Sequence, residues 1–122
     1  MSTAAFVTPM VVLVAALHVW FLVLEMFLWN RPLGLKTFRN TPETARPLTV
    51  LAANQGLYNG FLAAGLLWGV VHPVAAIGRQ ITVFFLLCVV AAGVFGALTA
   101  SRRILYVQAV PALVALVLVW LA

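Results

Sequence analysis

Four long apolar stretches account for most of this chain, at about residues 5–29, 48–71, 81–99 and 104–122. A helix needs about 20 predominantly apolar residues to cross the hydrocarbon core of a bilayer. No water reaches the backbone at that depth, so a spanning segment of this length must make its hydrogen bonds within a helix. The stretches therefore predict an all-α integral membrane protein, a bundle of four transmembrane helices that forms a single domain over residues 1–122.

The composition excludes an ordinary soluble domain. Of the 122 residues, 66% are hydrophobic and 7% are charged, too few charges to cover a soluble domain of this length. We expect the first stretch to persist as a helix and not to be cleaved as a signal peptide, because it carries Glu25 and its apolar run is too long. The single cysteine, Cys88, leaves no disulfide pair within the chain.

The basic residues predict the orientation in the membrane. Six of the seven fall in the first and third connections: Arg31, Lys36, Arg39, Arg46, Arg102 and Arg103. Only Arg79 falls in the second connection. Cytoplasmic loops carry the excess of Lys and Arg, so we expect loops 1 and 3 in the cytoplasm and the N-terminus and C-terminus outside. This predicts a multi-pass membrane protein, and it explains the net charge of +5 without nucleic acid.

Local motifs predict how the apolar stretches begin, end and bend. In loop 1, Pro32-Leu33-Gly34 predicts a turn directly after the first helix. Thr41-Pro42-Glu43 predicts an N-cap, a proline at the first helical position and an acidic first turn, and so a short interfacial helix. Pro111 lies inside the fourth stretch, where it is expected to kink the helix or to free a carbonyl.

Glu25 is the strongest candidate for a functional residue. It is one of two acidic residues in the chain, and it lies near the end of the first apolar stretch. An ionisable side chain in a membrane segment costs a few kcal/mol, which makes it a functional-site hypothesis by default. Two structural alternatives remain open. One is an ion pair with Arg31, Arg102 or Arg103, and the other is a protonated carboxyl hydrogen-bonded to Asn54 or Gln108.

Asn54, Gln55 and Gln108 lie near the depth of Glu25, on the side predicted to be cytoplasmic, and the other polar residues, His18, Tyr58 and Asn59, lie about 10 Å deeper. They predict a polar pocket that opens toward the cytoplasmic leaflet and is lined by Glu25, His18, Asn54, Gln55, Tyr58, Asn59 and Gln108. Trp20 lies deeper than the other tryptophans, and we add it to the ligand-binding candidates. The alternative for each amide is a hydrogen bond that cross-links two helices. An interior histidine and an ordinary buried tyrosine are the alternatives for His18 and Tyr58.

Small residues recur at four-residue spacing in the second and third stretches. They lie at Gly56 and Gly60, and again at Gly93 and Ala97. Such ridges let helix backbones approach closely in lipid, so they predict packing within the bundle or, alternatively, a homodimer through either face.

The chain has no set of side chains that could form an ordinary zinc or haem site. We therefore expect no metal and no cofactor.

The residues also carry a family resemblance. The segments that carry it are Glu25–Trp29, Leu51–Gly65, Ser101–Ile104 and Gln108 with Pro111. They resemble a family of small bacterial membrane proteins that is catalogued as domain of unknown function 1304. The resemblance covers essentially the whole chain. It implies four membrane helices in the bacterial cytoplasmic (inner) membrane and no assigned activity, so no site residue is carried over from it.

Three functional hypotheses follow. In the first, the protein binds a hydrophobic lipid- or isoprenoid-like molecule. If the protein also converts this molecule chemically, Glu25 and His18 are the catalytic acid/base pair. In the second, it is a proton-coupled small-molecule exporter that resembles the small multidrug resistance transporters. Those have four helices and an essential glutamate in the first, a likeness at the level of the fold only. In the third, it is an accessory subunit of a membrane complex. Membrane lipid and a hydrophobic small molecule are the expected partners.

Overall fold

The computed structural model of the protein describes residues 3–122, and within that range it contains helices and no strand. This confirms the all-α prediction. The helices are α1 (Ala4–Met26), α2 (Pro32–Phe38), α3 (Pro42–Ala45), α4 (Thr49–Val71), α5 (Ala75–Thr99) and α6 (Arg102–Leu121). A short 3₁₀ turn, Arg46–Leu48, connects α3 to α4.

Three helices among the described residues, α1, α5 and α6, are long and apolar enough to cross a membrane. This suggests a multi-pass membrane protein. Helix α4 has 23 residues and so is long enough, yet it does not belong to this set. The reason is its first half, where four polar side chains lower the hydropathy: Asn54, Gln55, Tyr58 and Asn59. The fourth span therefore stays a prediction, as does the orientation.

The bounds of α1 and α5 differ from those of the apolar stretches at one end each. Helix α1 stops at Met26 instead of continuing to residue 29, and the amide of Leu28 turns back to the carbonyl of Val23 at 3.1 Å. Helix α5 begins at Ala75 and not near residue 81, because Arg79 and Gln80 interrupt the apolar pattern without interrupting the helix. Hydropathy marks the part of a helix that suits lipid, whereas the backbone hydrogen bonds set its length.

The chain divides into two compact units, which we describe separately. Unit 1 comprises the described residues up to 17 together with residues 62–122. Its apolar core takes side chains from α1, α4, α5 and α6, among them the fully buried Val14, Leu66, Leu86 and Ala115. Unit 2 comprises residues 18–61, and it holds the end of α1, all of loop 1 and the first half of α4.

Helix α6 of unit 1 changes its winding ahead of Pro111. Residues Leu105–Ala109 form a π-helical turn, and the amide of Val110 reaches back to the carbonyl of Leu105. A proline has no N–H to donate, and its ring clashes with the carbonyl four residues earlier, so a wider turn at this place relieves both problems. The irregularity predicted at Pro111 is thus present as a π turn. Gln108 lies in it and is partly buried.

Loop 1 of unit 2 is folded. Pro32 is not part of a turn, as the sequence suggested, but is the first residue of α2, a position that suits its fixed φ angle. The predicted start of α3 is confirmed, because Thr41 accepts a hydrogen bond from the amide of Thr44 and Pro42 follows at the first helical position; its location at the membrane interface stays a prediction. The indole Nε1 of Trp29 donates to the carbonyl of Ala45 at 2.8 Å, which ties the start of the loop to its end.

Candidate functional site

The candidate site of unit 2 is a hydrogen-bonded pair of polar side chains on two helices. Glu25 lies in the last turn of α1 and is partly buried, and Asn59 lies on α4 and is 6% exposed. Asn59 Nδ2 donates to Glu25 Oε1 at 2.5 Å. A carboxyl group accepts at two oxygens and an amide donates at one nitrogen, so the pair is one specific polar contact between α1 and α4.

A glycine allows the two helices to come this close. Gly56 is buried one turn before Asn59, on the same stripe of α4. A Cβ placed on Gly56 would lie 2.6 Å from Met26 Cγ, 3.2 Å from Glu25 Cβ and 3.2 Å from the carbonyl oxygen of Leu22. The missing side chain is therefore what lets the end of α1 pack on α4. This is the packing within the chain that the small-residue spacing predicted, while a homodimer through Gly56 and Gly60, or through Gly93 and Ala97, stays a prediction.

His18, the predicted partner of Glu25 in acid/base chemistry, is fully buried within the chain. Its ring contacts the ring of Phe21 edge-on, with centroids 5.1 Å apart. His18 lies seven positions before Glu25, which corresponds to about 10 Å, or two turns, along a helix axis.

The other predicted residues lie elsewhere on the surface or in the other unit. Asn54, Gln55 and Tyr58 are exposed on α4, and Trp20 is exposed on α1. Gln108 belongs to unit 1. The structure thus joins Glu25 to Asn59, whereas one of the alternatives left open by the sequence was a hydrogen bond to Asn54 or Gln108.

The sequence did hold a signal for the correct amide. Ala52, Gly56, Asn59 and Ala63 are buried and follow one another at helical spacing on one face of α4. Small residues mark the face on which a neighbouring helix backbone comes close, and Asn59 is the amide on that face. Asn54, by contrast, lies outside it.

The exposed side of α4 within unit 2 is a stripe of mixed character that lies next to the buried face. We call it the polar stripe, and its members are Leu51, Asn54, Gln55, Tyr58 and Phe61. The rings of Tyr58 and Phe61 lie 6.1 Å apart. The stripe offers uncharged donors and acceptors next to apolar surface, a combination that suits a molecule with an apolar body and a polar end.

The described part of the chain offers no cluster of three or more His, Cys, Asp or Glu side chains that could hold a metal ion. The chemistry available at Glu25 is that of a single carboxyl group beside an amide. Such a group can accept or donate a hydrogen bond, and it can exchange a proton.

Comparison with known proteins gives one match. A family model described as "Protein of unknown function (DUF1304)" matches residues 12–120, a range that includes Glu25, Asn59 and all the other candidate residues. No curated protein and no solved structure matches the chain.

Proposed function

The chain belongs to the DUF1304 family, for which no activity is assigned, and we propose that it binds a hydrophobic, lipid- or isoprenoid-like molecule through the polar groups around Glu25. The observation that carries the proposal is the Glu25–Asn59 hydrogen bond at the end of an otherwise apolar helix. The Asn59 amide donates to one of the two carboxyl oxygens of Glu25. A ligand with a polar end can form a hydrogen bond with the other oxygen.

The polar stripe supports the same proposal. Amide side chains that face lipid without a partner lose hydrogen bonds that water would have supplied. A bound molecule whose polar end reaches Asn54, Gln55 or Tyr58 restores those hydrogen bonds, and its apolar body covers Leu51 and Phe61. If the ligand is converted, Glu25 is the proton donor or acceptor in the reaction, with His18 as its partner.

We further propose that α4 crosses the membrane as a fourth span and that loops 1 and 3 face the cytoplasm of the bacterial inner membrane. The six basic residues in those loops support this orientation. The ligand then enters from the cytoplasmic leaflet, the side on which α1 ends. In a Cys88→Ala background, a cysteine at Lys36 or Ser101 is expected to resist an impermeant thiol reagent in intact cells, while one at Val74 reacts. The reverse pattern would show the opposite orientation.

Lipid mass spectrometry of the purified protein tests the ligand. The chain supplies a matched control, because Glu43 is its only other acidic residue and is exposed in loop 1. The wild type and Glu43→Gln are expected to retain the same hydrophobic molecule at a fixed stoichiometry, while Glu25→Gln and Asn59→Leu lose most of it. Equal recovery from all four proteins, or none from the wild type, would end the proposal.

The polar stripe also favours a second candidate function, that of a subunit in a larger membrane complex. The same neutral donors and acceptors can pair with a helix of another protein. Co-purification of a membrane protein at fixed stoichiometry, lost in Asn54→Leu and Gln55→Leu, would favour this function over ligand binding.

The exporter hypothesis is tested by currents on a solid-supported membrane. It requires a proton-dependent current that Glu25→Gln abolishes.

A further inference from the structure

Loop 1, residues 30–47, is a folded segment that directly follows a helix apolar enough to cross a membrane. Two hydrogen bonds and a contact between aromatic rings hold the two ends of the loop together. Trp29 donates to the carbonyl of Ala45, and its ring lies 5.0 Å from that of Phe38. Asn30 Nδ2 donates to Thr49 Oγ1 at 3.0 Å. The loop therefore presents its outward side chains from a defined backbone.

The charged side chains among them are predominantly cationic. Arg31, Lys36, Arg39 and Arg46 are all exposed, and the only acidic residue among them is the exposed Glu43. Basic residues next to the end of a membrane helix are attracted to anionic headgroups, with an effect that adds up over the residues. Trp29, which packs against Phe38 at the base of the loop, is of the residue type that lies at the level of the headgroups.

The backbone conformation of Arg39 is a second observation, independent of its charge. Its backbone is left-handed, with φ 56° and ψ 43°, and it is the only non-glycine residue with positive φ among residues 3–122. It ends α2, where its amide bonds the carbonyl of Lys36 and the amide of Asn40 bonds that of Leu35. Glycine is the residue that adopts this conformation without strain. An arginine at a glycine position indicates that its side chain has a role outside the local fold.

We propose that loop 1 is a binding site for anionic phospholipid headgroups, whose phosphates pair with Arg31, Lys36, Arg39 and Arg46. Guanidinium groups bind phosphate oxygens in a bidentate manner, and the loop lies between the ends of α1 and α4, where headgroups are within reach. The site goes beyond the proposed function, because it involves neither Glu25 nor the polar stripe. Failure of either proposal leaves the other standing.

Native mass spectrometry of the detergent-solubilised protein, titrated with phosphatidylglycerol or phosphatidylcholine, tests the proposal. The wild type is expected to prefer phosphatidylglycerol. Arg39→Gly is expected to weaken that binding about fivefold, the factor that corresponds to one basic residue near an anionic surface. Arg39→Lys keeps the charge and is expected to retain the preference. The control is Arg102→Gln with Arg103→Gln, which removes two basic residues from the other basic connection and leaves the preference intact.

The thermal stability of Arg39→Gly separates binding from folding. Glycine relieves the left-handed backbone, so the variant is expected to unfold at or above the temperature of the wild type while it binds phosphatidylglycerol more weakly. A residue with a purely structural role would instead leave lipid binding unchanged. The proposal is overturned if the wild type binds both lipids equally, if the Arg102/Arg103 control weakens binding as much as Arg39→Gly, or if Lys at position 39 behaves like Gly. Complete displacement of the lipid by millimolar inorganic phosphate would also overturn it, because that would indicate a site for soluble phosphate.

Discussion

Asn59 donates a hydrogen bond to Glu25 across 34 residues of sequence, and this bond joins the last turn of α1 to the first half of α4. Both partners are polar side chains in helices that are otherwise mostly apolar. The bond therefore fixes which faces of the two helices meet, because any other rotation of α4 would leave Asn59 without this acceptor. Its strength and its dependence on close packing can both be measured.

The first prediction concerns the strength of the pair. Asn59→Leu is expected to lower the free energy of unfolding by about 0.5–2 kcal/mol, the range for one side-chain hydrogen bond in a membrane or in a protein interior. A double-mutant cycle of Glu25→Leu with Asn59→Leu, followed by unfolding in mixed detergent micelles, is expected to give a coupling free energy of the same size. The control cycle replaces Asn59→Leu with Asn54→Leu, which is exposed. Equal coupling in both cycles would contradict the structure.

The second prediction concerns the contact that makes the pair possible. Gly56→Ala places a methyl group against Met26, Glu25 and the backbone oxygen of Leu22, and it is expected to destabilise the protein by about 1–3 kcal/mol. Gly60→Ala is the matched control, since its Cβ would meet only the tip of Leu22, at 2.7 Å. That side chain can move, so the loss is expected to be smaller. Thermal unfolding of the two variants compares them, and a larger loss at Gly60 would be inconsistent with this packing.

The third prediction concerns the order of loop 1. Trp29→Phe keeps an aromatic ring but removes the hydrogen bond to Ala45, which is worth about 0.5–1.5 kcal/mol. Hydrogen–deuterium exchange is expected to become faster in residues 32–48 and to stay unchanged in α5. Trp120→Phe serves as the control, because Trp120 is exposed at the other end of the chain. If exchange in loop 1 is unchanged in Trp29→Phe, the indole does not hold the loop.

The fourth prediction concerns unit 1. A Cβ on Gly93 would lie 2.7 Å from both the backbone nitrogen and the Cβ of Ala109, in the π turn of α6. Backbone atoms cannot move aside as a flexible side chain does, so Gly93→Ala is expected to cost about 1–3 kcal/mol. Ala92→Leu, at the exposed neighbouring position, is expected to change stability by less than about 0.5 kcal/mol. Similar melting temperatures for Gly93→Ala and the wild type would exclude the close contact.

Much of the local structure followed from the sequence because it depends on neighbouring residues. The Thr41-Pro42 motif specified the start of α3, since an N-cap and a proline act within one turn. Pro111 specified an irregularity in α6 for the same reason. Pro32 was misjudged, because a proline serves equally well in a turn and at the first position of a helix. The choice depends on the residues that follow it, and these continue into α2.

The sequence by itself determined the helical class, the segments suited to lipid, and the candidacy of Glu25, because hydropathy and charge are properties of the residues along the chain. It did not determine which amide meets Glu25. Asn54 and Asn59 lie five residues apart in the same helix, and the small residues beside Asn59 indicate a packed face without indicating which residue meets it. The tertiary structure decided for Asn59, because the small residues around Gly56 bring α1 against that face of α4 and leave Asn54 exposed. Partner choice depends on how two helices are rotated against each other, and their packing sets that rotation.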